Sequence, residues 1–123
     1  MVTSDHILVV DDDPDILKLA ERVLASAGHT VLTASDVLSA LDLMNRLQFD
    51  MLISDANMPH YNGFDLVTTI RKNSAYKNMS VAMLTGLRER KHVERAVRDA
   101  FADCRDDARC LAASGATHGR RSR

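Results

Sequence analysis

The chain has 123 residues, of which 46% are hydrophobic and only 4% aromatic, so it is long enough for one domain with an aliphatic core. A formal net charge of −1 excludes the strongly basic character of proteins that bind nucleic acid or anionic membranes through charge alone. Two cysteines exclude a disulfide framework, and neither a signal peptide nor an apolar run of the roughly 20 residues in a membrane span is recognisable, so we expect a cytoplasmic protein.

The first strand and helix are predicted between residues 7 and 28. The β-branched run at 7–10 is typical of a strand that is buried on both faces of a parallel sheet. Asp13 can cap a helix whose first turn contains Pro14, and Gly28 can end it. The face of this helix that is predicted to be buried consists of Ile16, Ala20, Val23, Leu24 and Ala27.

A second strand is predicted at 30–33, followed by a helix that either Ser35 or Asp36 can cap. The predicted buried face of this helix consists of Leu38, Leu41 and Met44, with Leu47 as a further candidate. A third strand at 51–54 precedes a predicted loop at 56–63, where proline and glycine interrupt the chain.

The remaining elements continue the alternation of strand and helix. The apolar positions of the third helix are Phe64, Val67 and Ile70. A fourth strand is predicted at 80–85, and helical spacing resumes at Val93, Val97 and Phe101. Because strand and helix alternate at least four times, the sequence predicts an α/β fold with a parallel sheet.

Three of the predicted strands end in polar residues that can carry chemistry. Asp11 and Asp12 follow the first strand, Asp55 follows the third, and Thr85 ends the fourth. The carboxyl ends of parallel strands meet at one edge of the sheet, where ligands usually bind. We therefore expect these side chains to share one cleft.

Carboxylates that crowd into one cleft raise each other's pKa, and a divalent cation relieves their repulsion. An oxygen-rich site favours Mg²⁺, which keeps several waters and prefers a phosphate as its partner. In such a site Asp55 could attack a phosphorus centre and form an aspartyl phosphate, while Thr85 could donate a hydrogen bond to a phosphoryl oxygen.

Each of these residues also has a purely structural interpretation. The acids at 11–15 stand at a helix start, where they can cap the helix and interact favourably with its dipole. Asp55 precedes a loop and can be a turn residue, and Thr85 can simply end a strand. The joint arrangement of all of them favours the chemical interpretation.

Three motifs, ILVVDDDPDI, DMLISDANMPHYNGFDL and VAMLTG, resemble the receiver domain of two-component response regulators, the CheY-like family. The similarity extends from about Ile7 to about Val97, and it includes Pro59 and Gly63 in the loop after Asp55. It implies a doubly wound, flavodoxin-like parallel sheet with helices on both faces. The boundaries that we expect are a receiver domain at 5–113 and a polar, basic, disordered tail at 114–123.

The resemblance also implies a role for each residue of the cleft. Asp55 is implied to be the phosphoacceptor. Asp12 and Asp55 are implied to bind Mg²⁺ directly, together with the main-chain carbonyl of Asn57, and Asp11 is implied to hold it through water. Thr85 is implied to be the switch hydroxyl that moves toward the phosphoryl group.

The C-terminal third departs from the family pattern. The family has a fifth strand that ends in lysine, usually followed by proline, whereas this chain has no lysine after Lys91 and no proline after Pro59. A stripe with helical spacing from Val93 to Leu111 predicts one long helix, although such a stripe can arise by chance in an Ala- and Arg-rich segment. We therefore expect an absent or altered fifth strand, an open sheet edge at 80–85 and a homodimer that buries the long helix.

Three functions are consistent with these residues. The first is a response regulator receiver, not an enzyme, that accepts a phosphoryl group from a histidine kinase or phosphotransfer protein and signals to a downstream output protein. The second is a pseudo-receiver that binds partners without switching, which the missing lysine favours and the intact acids oppose. The third is a Mg²⁺-dependent phosphohydrolase with an Asp nucleophile, which the lack of a second general acid–base disfavours. We expect the first, with no binding to nucleic acid or membrane.

Overall fold

The computed structural model describes residues 6–55, 57–58, 61–77, 79–84, 94–95 and 97–99, with the backbone alone at 57–58 and 61–64. The strands, in chain order, are β1 (His6–Val10), β2 (Thr30–Ala34), β3 (Met51–Asp55), β4 (Asn57–Met58), β5 (Tyr61–Asn62) and β6 (Ser80–Leu84). Four of them form a parallel sheet in the order β2-β1-β3-β6, and β4 and β5 form a separate antiparallel ladder.

Helices make the crossovers between the parallel strands. They are α1 (Pro14–Ser26), α2 (Val37–Arg46) and α3 (Gly63–Arg71), and a 3-10 turn (Ser74–Tyr76) precedes β6. Residues 94–95 and 97–99 are also helical, as the apolar spacing around Val97 predicts. None of the helices in the described part of the chain combines the length and hydrophobicity that crossing a membrane requires.

The core lies on both faces of the parallel sheet. Residues 7–10 of β1 are at most 1% exposed, because alternate side chains of a strand point to opposite faces and helices cover both. Ile7 and Val9 pack in one cluster with α1, whereas Leu8 and Val10 pack in a second cluster with α2 and α3. This arrangement confirms the predicted doubly wound α/β fold.

The start of α1 follows directly from its sequence. Asp13 is the N-cap, and its side chain accepts a hydrogen bond from the N–H of Asp15 over 2.9 Å. Pro14 stands in the first turn, where its missing N–H costs no helical hydrogen bond. Gly28 follows the C-cap with a φ of +99°, a conformation that glycine adopts without strain.

The buried face of α1 is broader than predicted. The buried residues of this helix are Leu17, Leu19, Ala20, Val23 and Leu24. Ile16 is only partly buried, and the prediction is wrong for Ala27, which is exposed because it is the C-cap and lies beyond the last helical turn. A helix that covers a sheet uses a wide stripe, which brings Leu17 and Leu19 into the core.

The predicted face of α2 is wrong for two of its leucines. Leu38 is 79% exposed and Leu47 is 46% exposed, whereas the buried residues are Val37, Ala40 and Met44. Asp36 is the N-cap and accepts a hydrogen bond from the N–H of Ser39 over 2.7 Å. The buried positions 37, 40 and 44 lie on one side of the helix, which leaves Leu38 on the opposite side.

Within the predicted loop at 56–63, the described residues 57–58 and 61–62 form short strands. Asn57 pairs with Asn62 and Met58 with Tyr61, so β4 and β5 form a short antiparallel ladder before α3. Backbone pairing within such a short segment has no hydrophobic pattern from which it could be predicted.

A buried tyrosine joins the turn before β6 to the end of α2, which is distant in sequence. Tyr76 is 2% exposed, and its hydroxyl lies 2.9 Å from the carbonyl oxygen of Met44 and 2.6 Å from that of Leu47. The turn before β6 is thereby held to the C-terminal end of α2. Burial raises the pKa of the Tyr76 hydroxyl, which keeps it neutral and able to donate.

The strand β6 pairs with β3 through all five of its residues. The side chains of residues 81–84 are at most 4% exposed, because both layers of helices cover them. The other predictions for the C-terminal third lie outside the described residues: the open edge beside 80–85, the altered fifth strand, the part of the long helix beyond residue 99 and the tail.

Candidate functional site

The ends of β1 and β3 bring three carboxylates to one edge of the sheet. β1 and β3 are neighbours, and Val10 pairs in register with Ser54. Asp11, directly after β1, therefore lies beside Asp55, the last residue of β3. Asp11 is also held toward β2, because its main-chain N–H donates to the carbonyl of Ala34 over 3.1 Å.

The three acids form a compact group. One carboxylate oxygen each from Asp11, Asp12 and Asp55 lies within 4.8 Å of the other two. Asp11 is 4% exposed, Asp55 is half-buried and Asp12 is exposed, so the group extends from the core to the surface. A ligand that reaches Asp12 from solvent can therefore also contact Asp55.

The backbone around the acids is fixed by short hydrogen bonds. The N–H of Asp13 donates to Oδ1 of Asp11 over 2.9 Å. The hydroxyl of Ser54, which is fully buried, donates to the carbonyl of Asp55 over 3.0 Å. Both contacts join residues that are adjacent or nearly so in sequence, so the geometry of each strand end is set locally.

The electrostatics of the group are unfavourable for three ionised acids. The pKa of Asp11 is raised to about 7, mainly by burial and in addition by the neighbouring charges of Asp55, Asp12 and Asp13. The hydrogen bond from the N–H of Asp13 acts in the opposite direction, because it stabilises the charged carboxylate. Without a cation, Asp11 is therefore partly protonated at neutral pH.

This donor set fits a hard divalent cation. All three ligands are carboxylate oxygens, the donors that Mg²⁺ prefers, and a bound cation would relieve the repulsion that raises the pKa of Asp11. Asp11 and Asp12 are adjacent in sequence and come from one strand end, whereas Asp55 comes from another. The site therefore forms only when the sheet is assembled.

Of the other two predicted site residues, the structure describes the backbone of Asn57 and does not describe Thr85. Asn57 begins β4, two residues after Asp55, and its main chain pairs with Asn62. Thr85 lies outside the described residues. It follows Leu84, which pairs in register with Asp55, so β6 ends next to the acid group.

The contribution of Asp13 to the site is not apparent in the sequence. The pair Asp13-Pro14 indicates a helix start in the sequence. The structure shows in addition that Asp13 donates its main-chain N–H to Asp11. The signal that could have indicated this contact is the spacing: an acid two residues before a capping residue can accept its N–H.

A family model and curated relatives match most of the described chain. The model of the response regulator receiver domain matches residues 7–104. The transcriptional regulatory protein GlrR of Escherichia coli (strain K12) is 40% identical over 80 residues, which are 65% of this chain and 18% of GlrR. The matched region thus spans less than one fifth of that protein. The chemotaxis protein CheY-3 of Vibrio cholerae is 31% identical over 93 residues, 75% of this chain and 72% of CheY-3.

Solved structures have the same fold. The chemotaxis response regulator CheY4 of Vibrio cholerae superposes with a TM-score of 0.66 at 38% identity, covering 77% of this chain and 81% of that one. The response regulator protein TrrA of Thermotoga maritima, solved in complex with Mg²⁺-BeF, superposes with a TM-score of 0.62 at 32% identity, covering 68% and 70% of the two chains.

Proposed function

The chain belongs to the response regulator receiver domain family, and we propose from this premise that Asp55 accepts a phosphoryl group from a histidine kinase or a phosphotransfer protein. Receiver domains are signalling modules rather than classical enzymes, and response regulators pass the signal to output partners. The observation that carries the proposal is the group formed by Asp11, Asp12 and Asp55, whose carboxylate oxygens lie within 4.8 Å of one another.

Asp55 has the position that a phosphoacceptor requires. It is the last residue of β3, so the strand fixes its backbone. It is half-buried, so a donor can reach its carboxylate from solvent. In the transfer step, a carboxylate oxygen of Asp55 forms a bond to phosphorus while the P–N bond of the donor's phosphohistidine breaks, and the released imidazole takes up a proton. The product is an aspartyl phosphate.

The remaining acids support this step through the cation that they would hold. Asp12, Asp55 and the main-chain carbonyl of Asn57 would bind Mg²⁺ directly, and Asp11 would bind it through water. When bound, the ion supplies positive charge beside the phosphoryl oxygens. Asp12 and Asp11 contribute the negative charge that retains the ion, and the burial of Asp11 excludes bulk water from the inner side of the site.

The output of the domain is a further part of the proposal. Thr85 follows the strand that pairs with β3, and its hydroxyl would donate to a phosphoryl oxygen and so transmit the change to the surface. A downstream output protein in the cytoplasm would bind that surface. A homodimer through the predicted helix at 93–111 is proposed as well, and sedimentation of the full chain against a chain that ends at Val97 tests it.

The direct test is phosphoryl uptake by the full chain from acetyl phosphate, measured on a phosphate-affinity gel. We expect uptake with Mg²⁺, none with EDTA, and none in Asp55→Asn. Asp42→Asn is the matched control, because Asp42 is an exposed acid that pairs with Arg46 on α2. Full uptake in Asp55→Asn would place the acceptor elsewhere, and no uptake by the wild-type chain would favour a pseudo-receiver.

A further inference from the structure

Asp13 connects the acid group to α1 through three separate polar groups. Its main-chain N–H donates to Oδ1 of Asp11 over 2.9 Å. Its side chain accepts from the N–H of Asp15 over 2.9 Å. Its carbonyl accepts from the N–H groups of Ile16 and Leu17 over 3.1 and 3.2 Å. A change in the conformation of Asp13 therefore moves both the first turn of the helix and the donor to Asp11.

The conformation of Asp13 is held from its C-terminal side. Its backbone is extended, with a φ of −96° and a ψ of 113°. Pro14 disfavours the helical conformation for the residue before it, and the cap bond to the N–H of Asp15 requires the same extended geometry. Both constraints keep the N–H of Asp13 directed toward Asp11.

The ionised carboxylate of Asp11 needs a hydrogen-bond donor, because burial and neighbouring acids both disfavour its negative charge. It is 4% exposed, and it shares its site with Asp12 and Asp55. The N–H of Asp13 fixes the rotation of the Asp11 carboxyl group and stabilises its negative charge. Asp11 would hold the ion through water, and groups that orient the acids around a metal raise the affinity for it, although they do not touch it.

We propose that the side chain of Asp13 is a positioning residue for cation binding: by capping α1 it holds the main-chain N–H that orients the carboxylate of Asp11. The inference rests on the proposed function, because the cation is the one proposed there. The side chain acts through its hydrogen bond rather than its charge, since a negative charge at this position opposes that of Asp11.

Three substitutions separate the hydrogen bond from the charge. Asp13→Asn, Asp13→Ala and Asp13→Gly all remove the charge, but only Asn can still accept from the N–H of Asp15. Glycine is tolerated at helix caps, so Asp13→Gly provides a folded variant without the side-chain bond if Asp13→Ala folds poorly. Mg²⁺ is titrated into the full chain, and its affinity is measured from the shifts of backbone amide NMR signals.

We expect Asp13→Ala and Asp13→Gly to bind Mg²⁺ up to about tenfold more weakly than Asp13→Asn, the lower end of the effect of losing a group outside the direct ligands. Equal affinities in the three variants would overturn the proposal. Asp36→Ala is the matched control, because it removes the corresponding cap of α2. It should lower the melting temperature about as much as Asp13→Ala and leave the Mg²⁺ affinity unchanged. A similar loss of affinity in both would show a general effect of stability and contradict a positioning role.

A second measurement needs no cation. In the metal-free protein, the amide proton of residue 13 should exchange slowly with solvent deuterium, because it is hydrogen-bonded to Oδ1 of Asp11. Asp13→Asn should retain this protection, and Asp13→Ala should lose it. Retention in Asp13→Ala would overturn the positioning role. Failure of the wild-type chain to bind Mg²⁺ would instead contradict the proposed function, and amide exchange would still decide the role of Asp13.

Discussion

Asp11 and Asp55 present carboxylate oxygens within 4.8 Å of each other from the ends of two neighbouring parallel strands. Such proximity is costly for two ionised acids, and a chain selected for stability alone would not keep it. The proximity of these two acids therefore indicates a functional site that binds a cation.

The first prediction concerns the affinity for Mg²⁺. Asp12→Asn removes a charged ligand but keeps the size of the side chain, so we expect the affinity to fall by at least about tenfold, the effect typical of losing a supporting group. Isothermal titration calorimetry on the full chain measures it. Asp15→Asn, an exposed acid in the first turn of α1, is the control and should change the affinity far less. Unchanged binding in Asp12→Asn would remove Asp12 from the site.

The second prediction concerns stability and pH in the metal-free protein. The pKa of Asp11 is about 7 in the folded state, against an ordinary value of 3.8. The folded state therefore holds this proton more tightly than the unfolded state does, and the contribution of Asp11 to stability falls as the pH rises from about 4 to about 7. Asp11→Asn should remove this slope and be more stable than wild type at pH 8 by roughly 2–4 kcal/mol.

Thermal unfolding in EDTA across that pH range checks this second prediction. Saturating Mg²⁺ should make the wild-type slope shallower, because a bound cation favours the ionised acid. Identical pH slopes in wild type and Asp11→Asn would show that Asp11 titrates normally in the folded protein.

The strands and the acid group could be predicted from the sequence, because buried parallel strands are continuous apolar runs and their ends are marked by polar residues. The buried face of α2 could not, because Leu38, Leu41 and Met44 have helical spacing although Leu38 points to solvent. The contacts of Tyr76 with two distant carbonyl groups depend on tertiary packing and leave no local pattern.

The third prediction tests the orientation of α2. Leu38→Ala should change the free energy of unfolding by no more than about 0.5 kcal/mol, because that side chain is 79% exposed. Met44→Ala on the same helix should cost about 2–4 kcal/mol, because Met44 is 5% exposed and its loss leaves a cavity. Urea denaturation measures both. A larger cost for Leu38→Ala than for Met44→Ala would mean that the helix is rotated.

The fourth prediction concerns the hydroxyl of Tyr76. Tyr76→Phe keeps the buried ring and removes the donor to the carbonyl groups of Met44 and Leu47, so we expect a loss of about 1–2 kcal/mol in unfolding free energy. The affinity for Mg²⁺ should not change, because these contacts lie at the C-terminal end of α2, away from the strand ends that carry the acids. A variant as stable as wild type would show that the hydroxyl contributes nothing net.

The most direct test of Asp55 as the phosphoacceptor is to locate the phosphoryl group after reaction with acetyl phosphate and Mg²⁺. Reduction with borohydride converts an aspartyl phosphate to homoserine, which peptide mass spectrometry assigns to a single position. We predict this conversion at Asp55, and no conversion when Mg²⁺ is replaced by EDTA. Conversion at another aspartate, with Asp55 unmodified, would contradict it.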